Sequence, residues 1–448
     1  MNHLQSIHIS RTNTRVDITD STRNFNILLY SHDSWGLGHF RRNLAIARAL
    51  VEHIQSANVL IITGSPCATQ FSLPERCEVI KLPSVGKDSE GCYVPRNLRT
   101  SLHDTLTLRR RLLMTTFECF NPDVVIVDHQ LTGLLGEALD MVRAARAAGK
   151  LTIFGMRDIV DSADVVEQAW SSQECRNALA TDYEHICIYG DNNIFDAVSE
   201  YPFLQSYRHK ISTVGYIANP LDKAMRRPIP SLEQRVLVTV GGGEDGEERV
   251  EAYLHALNLA PVGWKSHIIT GPLMDDSKVR SCKRMAERSN HSDSIRISRF
   301  HRNIPGLLQQ ADAVVSMAGY NSCTEILQSG KPTVLLPRVR MRHEQRIRAE
   351  RLAAKGLVQS LCALDPFSLR AAVEKALCLG KIEAEAPDLN GLDNMCELVT
   401  RMSGLDPIVP SSLALAGAGL PQRRRMMSSA CEHSGYSASP QAESGILI

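Results

Sequence analysis

Residues 311–350 read ADAVVSMAGYNSCTEILQSGKPTVLLPRVRMRHEQRIRAE, and the order of signals in this stretch decides the fold. Residues 313–317 form a short apolar run, which suits a strand buried on both faces of a parallel sheet. Ala318, Gly319, Tyr320 and Asn321 predict a turn, residues 322–328 a helix closed by Gly330, and residues 332–336 a second buried strand. A basic loop over residues 337–342 and a charged helix follow. In an open α/β sheet, ligands bind where strands end and helices begin. The first such crossing offers Gly319, Asn321, Ser322, Thr324 and the N–H groups of a helix start, a setting for a phosphate. The Glu325 carboxylate can accept hydrogen bonds from a pair of sugar hydroxyls. The second crossing adds Arg338, Arg340, Arg342, His343, Glu344 and Gln345. Ser322-x-x-Glu325 also has the spacing of a capping box, and cap and site can coexist.

Upstream, the same strand, glycine turn and helix order occurs twice more. Residues 235–240 predict a strand, followed by Gly241, Gly242 and Gly243, where the backbone can approach a ligand closely. The helix beyond starts with Glu244, Asp245, Glu247 and Glu248; these acids oppose a phosphate there, or simply satisfy the helix dipole. Residues 25–30 predict another strand, leading to Gly36-Leu37-Gly38-His39-Phe40-Arg41-Arg42 and a helix over 43–51 with Leu44, Ile46, Ala47 and Leu50 on its apolar face. The third glycine of a dinucleotide fingerprint is missing, and His39 stands at the mouth of the helix instead.

Further strands are expected at 59–63, 79–82, 124–128, 151–154, 185–189, 267–270 and 295–298. Several end in polar residues, among them Asp128-His129 and Arg157-Asp158, and in a parallel sheet those ends face one crevice. Asp128, Arg157 and Asp158 are therefore site candidates, although Asp after a strand also caps helices, and a helix is expected from about Leu131. Phe300 and His301 follow the strand at 295–298, where an aromatic is usually core. Helices are expected over 97–120, 364–379 and 392–402. Arg109, Arg110 and Arg111 beside Leu112, Leu113 and Met114 make a surface that can rest on an anionic bilayer, or a solvated face beside a core face.

At 448 residues the chain has room for two domains plus tails. A formal net charge of +1 provides no global field to recruit nucleic acid. Twelve cysteines with no CxxC pair argue against a structural zinc site and for reduced thiols in a cytosol. No apolar run is long enough to span a membrane, and residues 1–24 lack the apolar core of a signal peptide. The expected division is a polar extension at 1–24, a first domain at 25–218, a linker rich in proline and charge at 219–231, a second domain at 232–402 and a disordered tail at 403–448. Within that tail, residues 422–427 (QRRRMM) could touch a membrane.

The pattern Gly319, Ser322, Glu325, Gly330-Lys331-Pro332, Pro337, Glu344-Gln345 resembles the donor site of GT-B glycosyltransferases of family 28, whose members include the enzyme that forms lipid II. Gly36-x-Gly38-His39-x-x-Arg42 is also similar to the loop of nucleotide-sugar hydrolases of the pseudaminic-acid pathway, which share the architecture. The resemblance implies an α/β, GT-B fold with two Rossmann-like domains facing across a cleft and a last helix crossing back to the first. It implies that Glu325 holds the ribose of a UDP-sugar, that Gln345 reaches the donor sugar, and that Phe300 and His301 wall the uracil.

The expected activity is inverting transfer of a hexose or N-acetylhexosamine from a nucleotide-sugar. No D-x-D pair stands beside a donor-type strand to hold Mg²⁺, so neither metal nor cofactor is expected. His39 is the first choice of general base and Asp128 the second. Gly36, Gly38, Arg42, Arg157 and Asp158 are assigned to the acceptor and phosphate side. The implied acceptor is lipid-linked or a polysaccharide, in cell-envelope or polysaccharide synthesis, with the protein cytoplasmic and peripheral on the inner membrane surface. A hydrolase using His39 to activate water is the second reading. A non-catalytic nucleotide-sugar sensor and a 2-epimerase, whose further carboxylates have no match, rank behind it.

Overall fold

The computed structural model describes residues 24–32, 38–88, 90–219, 233–339 and 342–405. The expected N-terminal extension, most of the linker, nearly all of the tail with its RRR segment, and Gly36 and Arg340 lie outside the described residues.

Fifteen short strands are described: β1 (Phe25–Ser31), β2 (Ala57–Thr63), β3 (Cys77–Lys81), β4 (Val85–Lys87), β5 (Tyr93–Pro95), β6 (Val124–Asp128), β7 (Leu151–Arg157), β8 (His185–Tyr189), β9 (Ile211–Thr213), β10 (Gln234–Thr239), β11 (Trp264–Ile269), β12 (Ile295–Ser298), β13 (Ala313–Ser316), β14 (Thr333–Leu335) and β15 (Gln359–Ser360). They build a seven-stranded sheet in the order β3-β2-β1-β6-β7-β8-β9, a six-stranded sheet in the order β12-β11-β10-β13-β14-β15, and the small hairpin β4-β5. Both large sheets are parallel throughout. This is the doubly wound arrangement, with the order reversing beside β1 in the first sheet and beside β10 in the second.

The apolar runs form strands because both of their faces are covered. Ile27 and Leu29 of β1 and Val124 and Ile126 of β6 enter one apolar cluster, while Leu28, Tyr30, Val125 and Val127 enter the cluster on the opposite face. β10 divides likewise, Leu237 to the first cluster and Val236 and Val238 to a third. Each such side chain contributes roughly 1.5–3 kcal/mol on burial. The first cluster runs through both halves, because it also contains Val314, Tyr320, Ile326 and Leu335 of the second.

The final helix, Gly391–Met402, crosses back as expected. Leu392, Met395, Cys396 and Val399 join the cluster that covers the helix Gly38–His53. Asn394 Nδ2 donates to Val214 O at 2.8 Å and Tyr216 N to Asp388 O at 2.8 Å. Gly391 has no room for a side chain here, since a β-carbon would lie 2.6 Å from Tyr216 O.

Two expectations need correction. The helix expected from Leu131 begins at Leu139, after a 3-10 turn at Leu134–Gly136. Gly133, Leu135 and Gly136 take φ values of 73°, 49° and 80° there, turning Glu137 inward. Its carboxylate accepts from Tyr30 OH at 2.7 Å and from Arg109 Nε and Nη2 at 2.6 and 2.5 Å. Arg109 is therefore an internal ion-pair partner and not part of a membrane-facing basic surface; Arg111 remains exposed. Among the described residues no helix is long and apolar enough to cross a membrane.

Candidate active site

The reversal points of the two sheets open onto one cleft of about 630 Å³. In the first sheet Ser31 and Asp128 end neighbouring strands in register, and in the second Thr239 and Ser316 do so. The start of the helix after β1 and the end of β7 form one wall, and the segments after β10, β12, β13 and β14 form the other. Gly38, His39, Arg41, Arg42 and Arg157 line the first-half wall. Gly241, Gly242, Gly243, Phe300, His301, Gly319, Asn321, Ser322, Glu325, Arg338, Glu344 and Gln345 line the other.

His39 sits in the first turn of the helix Gly38–His53. Its Nδ1 lies 2.7 Å from Asp128 Oδ2. Arg42, one turn on, clamps the same carboxylate, with Nε to Oδ1 at 2.9 Å and Nη2 to Oδ2 at 2.6 Å. The Arg42 guanidinium lies over the rings of Tyr320 and Tyr189 at 5.2 and 5.6 Å. Arg42 Nη2 also approaches His39 Nδ1 at 2.9 Å. An ionised carboxylate only accepts, so Asp128 is the acceptor for both neighbours, and the Arg42 approach to a protonated Nδ1 is a contact and not a hydrogen bond. That places the His39 proton on Nδ1 and leaves Nε2 with its lone pair. Burial alone would raise the Asp128 carboxyl, but the Arg42 charge and the His39 bond outweigh it and hold it at about 2.

His32 and His129 complete an imidazole cluster, their ring centroids 6.1 and 4.9 Å from that of His39. Burial, with the charges of His39 and Arg109, lowers His32 to about 3. Burial and the Arg157 guanidinium hold His129 well below the ordinary histidine range.

On the opposite wall, the helix Tyr320–Ser329 starts two residues earlier than expected, with Gly319 as its N-cap and no side-chain cap. Ser322 is thus already inside the helix, and the capping box does not form. Glu325 instead pairs across the cleft with Arg41, and Asn321 Nδ2 donates across it to Gly38 O at 2.8 Å. Arg157 Nη2 lies 2.9 Å from Glu344 Oε2, bringing a third pair across. The N–H bonds of Arg157 do not point at that oxygen, so buried Glu344 Oε2 has no directed donor, and Arg338 Nε has no acceptor. Both residues line the cleft.

The acid-rich segment after the glycines is largely neutralised. Asp245 pairs with Arg338 at 3.1 Å and Glu247 with Lys278 at 3.2 Å. Glu244 faces the cleft, its carboxyl raised by burial and by Asp245. Gly243 has φ 96°, and a β-carbon there would lie 2.2 Å from Thr270 O. Phe300 is 49% exposed, an uncovered aromatic on the cleft wall and not a core residue.

Three of the expected site residues are not on the wall. Asp128 stands behind His39 with no exposed surface. Asp158 is equally buried, accepting from Ile159 N at 2.7 Å and Tyr216 OH at 2.8 Å with Arg348 3.7 Å away. Thr324 donates to Asn321 O at 2.9 Å within its own helix. The sequence reading gives Arg41 and His129 no role. A pair of arginines in the first turn of a helix is the available signal for Arg41, and the polar strand end Asp128-His129 is the one for His129.

The fold and its paired reversal points define a protein of the GT-B class, two Rossmann-like domains facing across a cleft. Residues 235–385 match the family described as Glycosyltransferase family 28 C-terminal domain, which makes the chain family 28-like in its second half. Over 115 residues the chain is 31% identical to the UDP-N-acetylglucosamine–N-acetylmuramyl-(pentapeptide) pyrophosphoryl-undecaprenol N-acetylglucosamine transferase of Leuconostoc citreum. That stretch covers 23% of this chain and only 28% of the relative's length. Among solved structures, Acinetobacter baumannii MurG is similar with a TM-score of 0.55 and 16% identity, over 84% of this chain and 100% of that one. The S. aureus MnaA–UDP co-structure is similar with a TM-score of 0.57 and 12% identity, over 85% and 98%. At these identities the structural likenesses establish the fold.

Proposed function

We propose that this protein is an inverting, metal-independent glycosyltransferase that moves a hexose or N-acetylhexosamine from a nucleotide-sugar, UDP-linked in this reading, to an acceptor hydroxyl. One observation carries it: His39, hydrogen-bonded to buried Asp128, shares a cleft with Glu325 and an uncapped helix start on the facing domain. The domains in this reading are residues 25–218 and 232–402. The curated relative, whose name specifies a UDP-N-acetylglucosamine donor and an undecaprenol-linked acceptor, supports a UDP-sugar and a lipid-linked acceptor; in this reading the protein meets that acceptor at the inner membrane surface.

In this mechanism His39 Nε2 takes the acceptor proton as its oxygen attacks the anomeric carbon, and Asp128 stabilises the imidazolium that forms. The leaving diphosphate gathers its charge at the N-terminus of the helix Tyr320–Ser329, with Arg338 beside it. Glu325 exchanges Arg41 for the ribose hydroxyls. Glu344 Oε2, which lacks a donor, accepts from a sugar hydroxyl, with Gln345 next to it. Phe300 and His301 flank the base.

The Gly-x-Gly-His-x-x-Arg segment favours one second reading, a nucleotide-sugar hydrolase in which water takes the acceptor's place. Incubating purified protein with UDP-N-acetylglucosamine and following UDP release, with and without lipid-linked acceptor, separates the two. Acceptor-dependent release is expected, and rapid release without acceptor favours the hydrolase. His39→Ala should lower turnover by about 10²–10⁴-fold while UDP binding survives; unchanged turnover refutes the base assignment.

A further inference from the structure

We propose that His129 is a positioning residue that holds the His39 ring against Asp128 and ties it, through Arg157, to the facing domain. Only the kinetic part of the test rests on the sugar-transfer reading. His129 follows the last residue of β6 with φ 64°, a conformation unfavourable for any residue with a β-carbon. Its N–H donates to Gly155 O at 2.7 Å, which fixes that turn. The turn carries the imidazole under His39, with centroids 4.9 Å apart and planes 26° from parallel. His129 is 7% exposed and is not on the cleft wall, so it acts through its neighbours.

On its other side, Arg157 Nη2 lies 2.9 Å from His129 Nε2. Arg157 Nε also lies 3.4 Å from Nδ1; because a guanidinium only donates, one ring nitrogen accepts, the nearer being Nε2, and the ring is neutral. Burial and the Arg157 charge favour the same state. Arg157 in turn meets Glu344, the first residue of the helix Glu344–Ala354 in the second domain. A file of contacts, Glu344, Arg157, His129, His39, Asp128, therefore runs from the expected sugar side to the base. His39 is pinned at its edge by Asp128 and on its face by His129, with His32 edge-on at 6.1 Å. Moving Glu344 shifts Arg157, and with it the face on which the His39 ring rests.

The test uses two substitutions in the full-length protein. His129→Asn tolerates the left-handed backbone and keeps an acceptor but loses the ring; His129→Phe keeps a ring and loses the acceptor. With ¹⁵N-histidine labelling, the His39 Nδ1–H bonded to Asp128 is followed by NMR and assigned by its loss in His39→Gln. The proposal expects at least tenfold faster exchange of this proton in His129→Asn. It expects the proton to persist in His129→Phe but to stop responding to Glu344→Gln. kcat should fall at least tenfold in His129→Asn with the donor KM within threefold. Melting temperature establishes that each variant is folded, and if the Asn variant does not fold, the Phe variant decides alone. Exchange unchanged in both variants, or a Phe variant that still responds to Glu344→Gln, overturns the proposal. If the exchange behaves as expected but the wild type turns over no nucleotide-sugar, the positioning role stands and the sugar-transfer reading falls.

Discussion

Replacing Asp128 by Asn removes one charge and almost no volume, so its effects can be worked out from the contacts. Asp128 is fully buried and accepts two bonds from Arg42 and one from His39. Removing one partner of a buried ion pair costs about 3–5 kcal/mol, because the other charge is left uncompensated. The shift of the carboxyl from 3.8 to about 2 gives a second estimate, roughly 2–3 kcal/mol at about 1.4 per pH unit. The two agree within the usual factor of two.

The sign of the pH dependence follows from the same shift. The folded carboxyl is depressed, so its stabilisation is present above pH 3.8 and is lost as pH falls through about 2. An Asn amide also lacks the charge that favours the imidazolium, and when flipped it donates to His39 Nδ1 and moves the ring proton to Nε2. A fall in kcat of about 10²–10⁴ is expected, or roughly 3–5 kcal/mol of transition-state stabilisation. Urea unfolding and UDP release measured on one preparation read both effects. If stability falls by the stated amount while kcat stays within threefold of wild type, the carboxylate serves only to hold Arg42, and the dyad argument is wrong.

Three other outcomes are expected. His32 and His129 are bases lowered in the folded state, so their stabilisation is complete above pH 6.5 and is lost as pH falls, toward about 3 for His32. Urea unfolding should lose on the order of 1.4 kcal/mol per pH unit per residue below pH 6.5, and a flat profile between pH 7 and 5 contradicts this. Glu325→Ala should weaken UDP binding by calorimetry about 10–10⁴-fold, the loss of one or two charge-assisted hydrogen bonds at about 1.5–3 kcal/mol each; unchanged affinity means the ribose lies elsewhere. Gly241→Ala should cost only the strain of its φ of 63°, about 1–2 kcal/mol, since its β-carbon meets nothing within 4 Å. Gly243→Ala adds a clash with a backbone oxygen and should cost well more, so equal losses in melting temperature would falsify the glycine argument.

The sheets were legible because a parallel strand buried on both faces reads as a continuous apolar run. Residues 124–128 and 185–189 begin and end where the sequence placed them. Gly241 and Gly243 after β10 marked a turn because few other residues take their φ of 63° and 96°, whereas Gly319 after β13 has an ordinary φ of −66°. What the sequence hid were pairings between distant segments. Arg41 and Glu325 are 284 residues apart, and Arg157 reaches Glu344 in the other half. The inward turn of Glu137 depends on Tyr30 and Arg109, which no local window contains. Ser322 and Glu325 carried a cap spacing, but the helix starts at Tyr320, so the local pattern lost to tertiary contacts. Asp158 stands one residue past the end of β7, and it turned toward Tyr216 and Arg348 and away from the cleft.

The returning helix Gly391–Met402 sets the order in which the molecule can mature on the ribosome. The seven-stranded sheet has all its strands once Thr213 is made, but Leu392, Met395 and Val399, which lie over its first helix, are translated some 180 residues later. At about 5–20 residues per second that is a wait of roughly ten to forty seconds. Throughout it the nascent first domain carries an open greasy flank, a natural landing place for a chaperone. Premature termination anywhere before Gly391 therefore harms the end of the protein that was made first.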